Sequence, residues 1–256
     1  MIGNSYYLMG FLMAAGATCV AVLLPSMEHL ISWLLLLHAS LAIGIMLTAL
    51  IVPQYCVRGL LRTIVFTASF RLITMITAAQ IPIRLEVYEI QKKIGIFIPQ
   101  NNPFVSIGAL CVIIVAQGWA FPKFLLLFTH AAARFAADAV PGRELGIEVR
   151  RESGTLSDGS AAELSGRLRE SSRLIRLIHE KAQMLVLEIR LALLVQALGL
   201  AIGVVRGLGD TSLLFSNLPP FVVLSLLIFS PFWILGLTLR LLVSSEMRRL
   251  LEGDSR

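Results

Sequence analysis

Charge is what this sequence has least of. Of its 256 residues only 15% are Asp, Glu, Lys or Arg, while 57% are hydrophobic. Soluble domains run at about a quarter charged and about half apolar. Both departures argue against a water-soluble globule and for an integral membrane protein. Cysteine is scarce too. Cys19, Cys56 and Cys111 lie in or beside apolar runs with no metal-ligand spacing. An odd number cannot all pair within one chain, so they read as small packing residues. No nucleophile–base pair, metal cluster or phosphate loop appears, so no enzyme activity, metal or cofactor is expected. The net charge of +6 comes without a nucleic-acid-binding motif. No basic stretch precedes the first apolar run and no small-residue cleavage site precedes the next. That run is expected to remain as a span rather than be cleaved. Internal repeats and low-complexity tracts are absent.

What is present is a series of apolar runs. A helix needs about 20 mainly apolar residues to cross a bilayer. Residues 6–24, 30–52, 61–81, 104–129, 184–205 and 219–243 meet that length. The fold class expected is therefore all-α: a polytopic membrane protein of about six transmembrane helices, with one cytoplasmic loop subdomain. Spans one to four occupy 1–129, a charged cytoplasmic loop 130–183, spans five and six 184–243, and a short cytoplasmic tail 244–256. Residues 53–62 read as a short basic connection carrying Arg58 and Arg62, and 207–217 as a turn. The third run carries Arg71 among Thr, Ser and Ala. A mid-bilayer arginine costs at least about 2.5 kcal/mol on insertion scales, so this helix is expected among others, with Arg71 facing a partner or water. Residues 82–103 are amphipathic and end in the turn signal PQNNP.

Orientation follows the bases. The arginines between 134 and 181 belong in the cytoplasm by the positive-inside rule. Both termini then fall inside, where Arg248 and Arg249 agree. Lys92 and Lys93 fall outside and conflict with the rule. Within 130–183, SGTLSDGS reads as a loop. Ser160 followed by Glu163 fits a capping box, so a helix is expected to start there. Leu164, Leu168, Ile175 and Ile178 then line one side at helical spacing. This basic helix suits an anchor beside anionic lipid.

One segment departs from an ordinary inter-helix loop: RFAADAVPGRELGIEV, 134–149. Arg134, Phe135, Asp138, Ala139, Pro141, Gly142, Arg143, Ile147 and Glu148 resemble the signature that follows the fourth span in the FlhA/SctV export-gate family of type III secretion. Arg143 stands for a lysine and Glu148 for an aspartate. The likeness extends to the Leu-rich run around His38, to Phe70-Arg71-Leu72 and to GLAIGVV, and covers about 30–205. The second acid of the family motif is Arg150 here. The family's Lys-Gly-Asp before the fifth span is replaced by Ala182, Gln183 and Met184, with Glu188 about one turn later. No counterpart of its large cytoplasmic domain for chaperones and cargo is expected after the sixth run.

The resemblance implies a subunit in a bacterial inner membrane. Its expected partners are the lipid bilayer, other export-apparatus membrane proteins, like copies in a homo-oligomeric ring, and exported proteins as substrates. It also implies coupling of proton or ion movement to export. A carboxylate in a confined, low-dielectric site has a raised pKa, and a nearby arginine holds it ionised. Glu148 is the first candidate for that carboxylate and Asp138 the second, with Arg143 and Arg134 as cationic neighbours. Arg71 would be the intramembrane charge. Phe135, Pro141 and Gly142 would be structural, with Pro141-Gly142 breaking the helix after Asp138. A non-conducting scaffold and an unrelated small transporter are the competing expectations.

Overall fold

The computed structural model describes residues 28–51, 57–78, 103–207 and 211–252. The first span, 6–24, and the amphipathic segment before residue 103 lie outside the described residues. Every element is helical: α1 Glu28–Ile51, α2 Val57–Ala78, α3 Pro103–Val115, a π-helical turn Ala116–Ala120, α4 Phe121–Glu152, α5 Asp158–Gly207 and α6 Thr211–Glu252. The all-α expectation holds for these residues. Two expected connections prove shorter. α2 takes in Arg58 and Arg62. α6 begins at Thr211, so most of the turn expected over 207–217 is helical.

The largest difference lies at 130–183. It is no loop. Pro103 to Glu152 runs as one helix through the π turn, and α5 answers it with 50 continuous residues. At 1.5 Å per residue each arm is roughly 75 Å long. Pro141 sits inside α4 without ending it. It deprives the Ala137 carbonyl of its i+4 donor. Ala137 and Pro141 are both exposed, so that carbonyl lies on an open face of the helix. Packing of the opposite face outweighs the proline's cost of about 3 kcal/mol.

That opposite face has heptad character. On α5, positions 161, 164, 168, 171, 175, 178, 182, 185, 189, 192 and 196 alternate steps of three and four. All of them are buried except the half-buried Leu164 and Ser171. α4 presents Leu125, Thr129, Ala132, Ala136, Val140 and Ile147, all buried, toward the core. A 3.5-residue repeat keeps one seam facing its partner along a left-handed supercoil. The alanines let the backbones approach closely. Burial of each large side chain in such a seam contributes about 1.5–3 kcal/mol.

The tip of this hairpin is closed by specific caps. After α4, Gly154 takes φ +73°. Its N–H reaches Arg151 O and that of Thr155 reaches Arg150 O, both at 3.0 Å, the two bonds of a Schellman cap. Ser157 then opens α5: its Oγ accepts the Ser160 N–H at 3.3 Å. The expected start at Ser160 is thus displaced, because the nearer hydroxyl at Ser157 caps the helix and α5 begins at Asp158. Glu163 instead pairs with Arg167 at 2.5 Å.

α5 and α6 occupy the middle. α5 packs on α2, α4 and α6, while α6 packs on α1, α2, α3, α4 and α5. α4 and α6 run parallel: Phe121 meets Trp233, and Arg240 lies over Phe124 and Phe128. Arg58 at the start of α2 pairs with Glu170 of α5 at 2.6 Å. This contact sets α2 beside the lower part of the hairpin.

Candidate functional site

α4 places the motif residues along one helix rather than at one point. Arg134 and Glu148 are separated by roughly 21 Å of helix rise. Arg134 and Asp138 form an exposed pair at 4.0 Å, one turn apart. Glu148 pairs with Arg151 on the next turn, and Arg151 reaches across the tip to Asp158 at 3.7 Å. Arg143 is half-buried, and Phe135, Pro141 and Gly142 are exposed. Arg71 sits on α2, with its side chain outside what is described. The motif is therefore a string of water-facing local ion pairs, each worth about 0–1 kcal/mol. The carboxylates of Asp138 and Glu148 are both exposed on the surface of the single chain. Within the motif, the acid that reaches another helix is Glu144, which holds Arg169 of α5 at 2.6 Å. This bond raises the already high arginine pKa, the hydrogen bond acting first and the charge second.

A tighter polar constellation lies where the apolar part of the hairpin gives way to the charged part. Thr129, buried on α4, and His179, half-buried on α5, meet at 3.0 Å between Oγ1 and Nδ1. The Thr129 hydroxyl donates to Leu125 O at 3.0 Å, as helical threonines do. Its oxygen must then accept from His179 Nδ1–H. Nε2 of the ring is left as the acceptor, and Gln183 Nε2 donates to it at 3.1 Å. The hydrogen-bond inventory thus assigns a neutral Nδ1–H tautomer. Burial pushes the His179 pKa down. The ring of His130, 5.5 Å away between centroids, pushes the same way, and Glu180 opposes both. A second proton would point an Nε2–H at the Gln183 amide. The exposed Gln183 would have to turn its oxygen inward to receive it.

Two further polar residues were not anticipated from sequence. Glu246 of α6 is 1% exposed. Arg249 holds its Oε1 at 2.6 Å, and its Oε2 is buried without a hydrogen-bond partner among the described residues. The signal was there: Leu239, Leu242, Val243, Glu246 and Leu250 share one buried stripe at helical spacing. An acid on that stripe is a buried acid. Gln117 is fully buried inside the π turn. Neither amide atom meets a hydrogen-bond partner among the described residues. Neighbouring Gly118 lets α5 close in, since a Cβ there would lie 2.9 Å from Leu193 Cδ1. π turns within α-helices are frequent at functional positions. Among the described residues, no group of three or more His, Cys, Asp or Glu could hold a metal.

No family model, curated protein or solved structure matches this chain.

Proposed function

We propose that this chain is a multi-pass component of a bacterial type III protein export apparatus in the inner membrane. In this reading it has about six spans, the long hairpin α4–α5 reaches into the cytoplasm, and both termini lie inside. It works beside like copies and other export-apparatus proteins, and exported proteins are its substrates. One observation carries the membrane part. The helix Ile107–Glu152 is long and apolar enough to cross a bilayer, and only 22% of its most apolar stretch is buried inside the protein. A core helix of a soluble protein would be mostly covered. Here Val112, Trp119, Leu127, Leu187, Leu194 and Leu198 stand in the open, which suits hydrocarbon. The motif 134–149 supports the export part. It begins where this apolar helix turns charged, the place it holds after the fourth span in the family it resembles.

Coupling through Glu148 or Asp138 is the sharper version, with Arg134, Arg143 and Arg71 as the attendant charges. The open, locally paired setting of both carboxylates favours a second version, in which the chain is a non-conducting scaffold of the same apparatus. One complementation experiment tests both. In cells lacking this chain, type III secretion into the medium stops and the wild-type gene restores it. Normal secretion without the chain refutes the export reading. A Glu148→Gln protein at normal membrane levels cuts secretion at least about tenfold if that carboxylate carries a proton, equivalent to about 1.4 kcal/mol. Undiminished secretion leaves the scaffold version.

A further inference from the structure

A cavity of about 440 Å³ opens on the outer face of the hairpin, lined by Gly118, Trp119, Pro122, Lys123, Leu126, Leu127, His130 and Arg190. Its position is specific. Above it, the exposed apolar side chains of α3, α4 and α5 form a band including Val112, Val115, Leu191 and Leu194. Below it the charged arms begin. Its own walls combine both characters. Trp119, Pro122, Leu126 and Leu127 supply apolar surface, while Lys123 from α4 and Arg190 from α5 supply positive charge. Among the described residues no carboxylate lines it. The Lys123 Nζ lies over the Trp119 ring, 4.7 Å from its centroid. Indole belongs at the bilayer–water boundary, and the cation–π contact holds the ammonium at that depth. The π turn supplies Gly118 and Trp119, so the bulge forms one wall.

We propose that this cavity binds one anionic phospholipid: the phosphate sits between Lys123 and Arg190, and an acyl chain lies along Trp119 and Leu127 toward the apolar band. The occupant follows from charge complementarity and from the shape of the lining, which offers cations at one end and hydrocarbon at the other. A free phosphate would use the cations and leave the apolar wall without a role. Zwitterionic lipid would bring a quaternary ammonium against two fixed cations. Basic pockets between helices at this depth are suited to anionic headgroups. The proposal rests on the membrane reading and not on any role in export.

The experiment uses the full chain extracted from membranes in detergent. Native mass spectrometry follows retention of phosphatidylglycerol and of phosphatidylcholine with matched acyl chains. Each cation near an anionic lipid contributes about fivefold, so Lys123→Gln/Arg190→Gln weakens phosphatidylglycerol retention about thirtyfold. Phosphatidylcholine retention stays unchanged. Lys123→Arg/Arg190→Lys keeps retention within a few-fold, and Arg167→Gln/Arg248→Gln, the same loss of charge at exposed sites elsewhere, leaves it intact. Equal loss in that control, or full retention in the Lys123→Gln/Arg190→Gln protein, overturns the proposal. Displacement of the lipid by glycerol 1-phosphate at matched concentration also overturns it, in favour of a small-anion site. If the neutralised protein does not fold, the wild type decides alone: equal retention of the two lipids sinks the proposal. Recovery of the chain from a detergent-free aqueous fraction fails the membrane reading instead, and is scored before any lipid is added.

Discussion

Gly142 separates a helix that breaks at the Pro-Gly pair from one that runs through it. The pair suggests a turn, and a turn often needs φ > 0 at its glycine. The structure instead gives Gly142 an ordinary helical backbone: among the described residues only Gly154 has positive φ. Gly142 is exposed, and a Cβ built on it meets nothing within 4 Å. Gly142→Ala therefore adds no clash. It removes the entropic penalty of a helical glycine, a gain of about 0.8–1 kcal/mol. Gly154→Ala also finds open space but must hold φ +73°, a conformation costing an L-residue about 1–2 kcal/mol. The same substitution should thus act in opposite directions twelve residues apart. For a chain of this size 1 kcal/mol moves the Tm by about 2–4 °C. Thermal melts of the purified full chain in detergent, followed by circular dichroism at 222 nm, should show Gly142→Ala a few degrees above wild type and Gly154→Ala a few degrees below. A destabilised Gly142→Ala would mean that α4 is interrupted at the motif, and the single-hairpin architecture would be wrong.

His179 should make stability depend on pH. Its folded pKa lies below the usual 6.5, chiefly through burial and secondarily through His130. The unfolded chain therefore binds more protons just below pH 6.5. The contribution is fully present above 6.5 and is lost as pH falls from there through the lower folded pKa. Titrating the Tm should show that decline in wild type and a flatter profile in His179→Asn; equal slopes would count against the neutral-histidine assignment. Gly236 is buried on α6, where a Cβ would press into the Phe121 ring and lie 3.4 Å from Leu125 Cδ2. The overpacking cost of about 1–3 kcal/mol exceeds or cancels the helix-propensity gain. Gly236→Ala should lower or leave unchanged the Tm, and Phe121→Leu in the same chain should recover it. A stabilised single variant would show that α4 and α6 do not meet there.

How much was legible can be read from particular residues. The 30–52 run became α1 within two residues, because a continuous apolar stretch of that length specifies a helix by itself. Leu164, Leu168, Ile175 and Ile178 are recognisable as one face, and all four lie on the covered stripe of α5. The Pro-Gly pair misled because local propensity favours a break by a few kcal/mol, whereas Ala132, Ala136, Val140 and Ile147 pack as a unit against α5. The cap at Ser157 was obscured by Ser160 and Glu163, which carry an equally good local signal. Glu148 and Asp138 stand out by motif alone. Their exposure depends on which side of α4 the neighbouring helices cover.

The sequence by itself determined composition-driven properties: helices throughout the described residues, and the face of Leu164, Leu168, Ile175 and Ile178 on α5. These follow from near-neighbour periodicity, which every residue carries in its own surroundings. Only the tertiary structure decided that Thr129 and His130 meet His179 about fifty residues away, that Glu246 and Gln117 are enclosed, and that Lys123 and Arg190 share one cavity. Those relations depend on the register and rotation of whole helices. A rigid helix converts small differences in crossing geometry into which side chain faces which, and no short window of sequence contains that information.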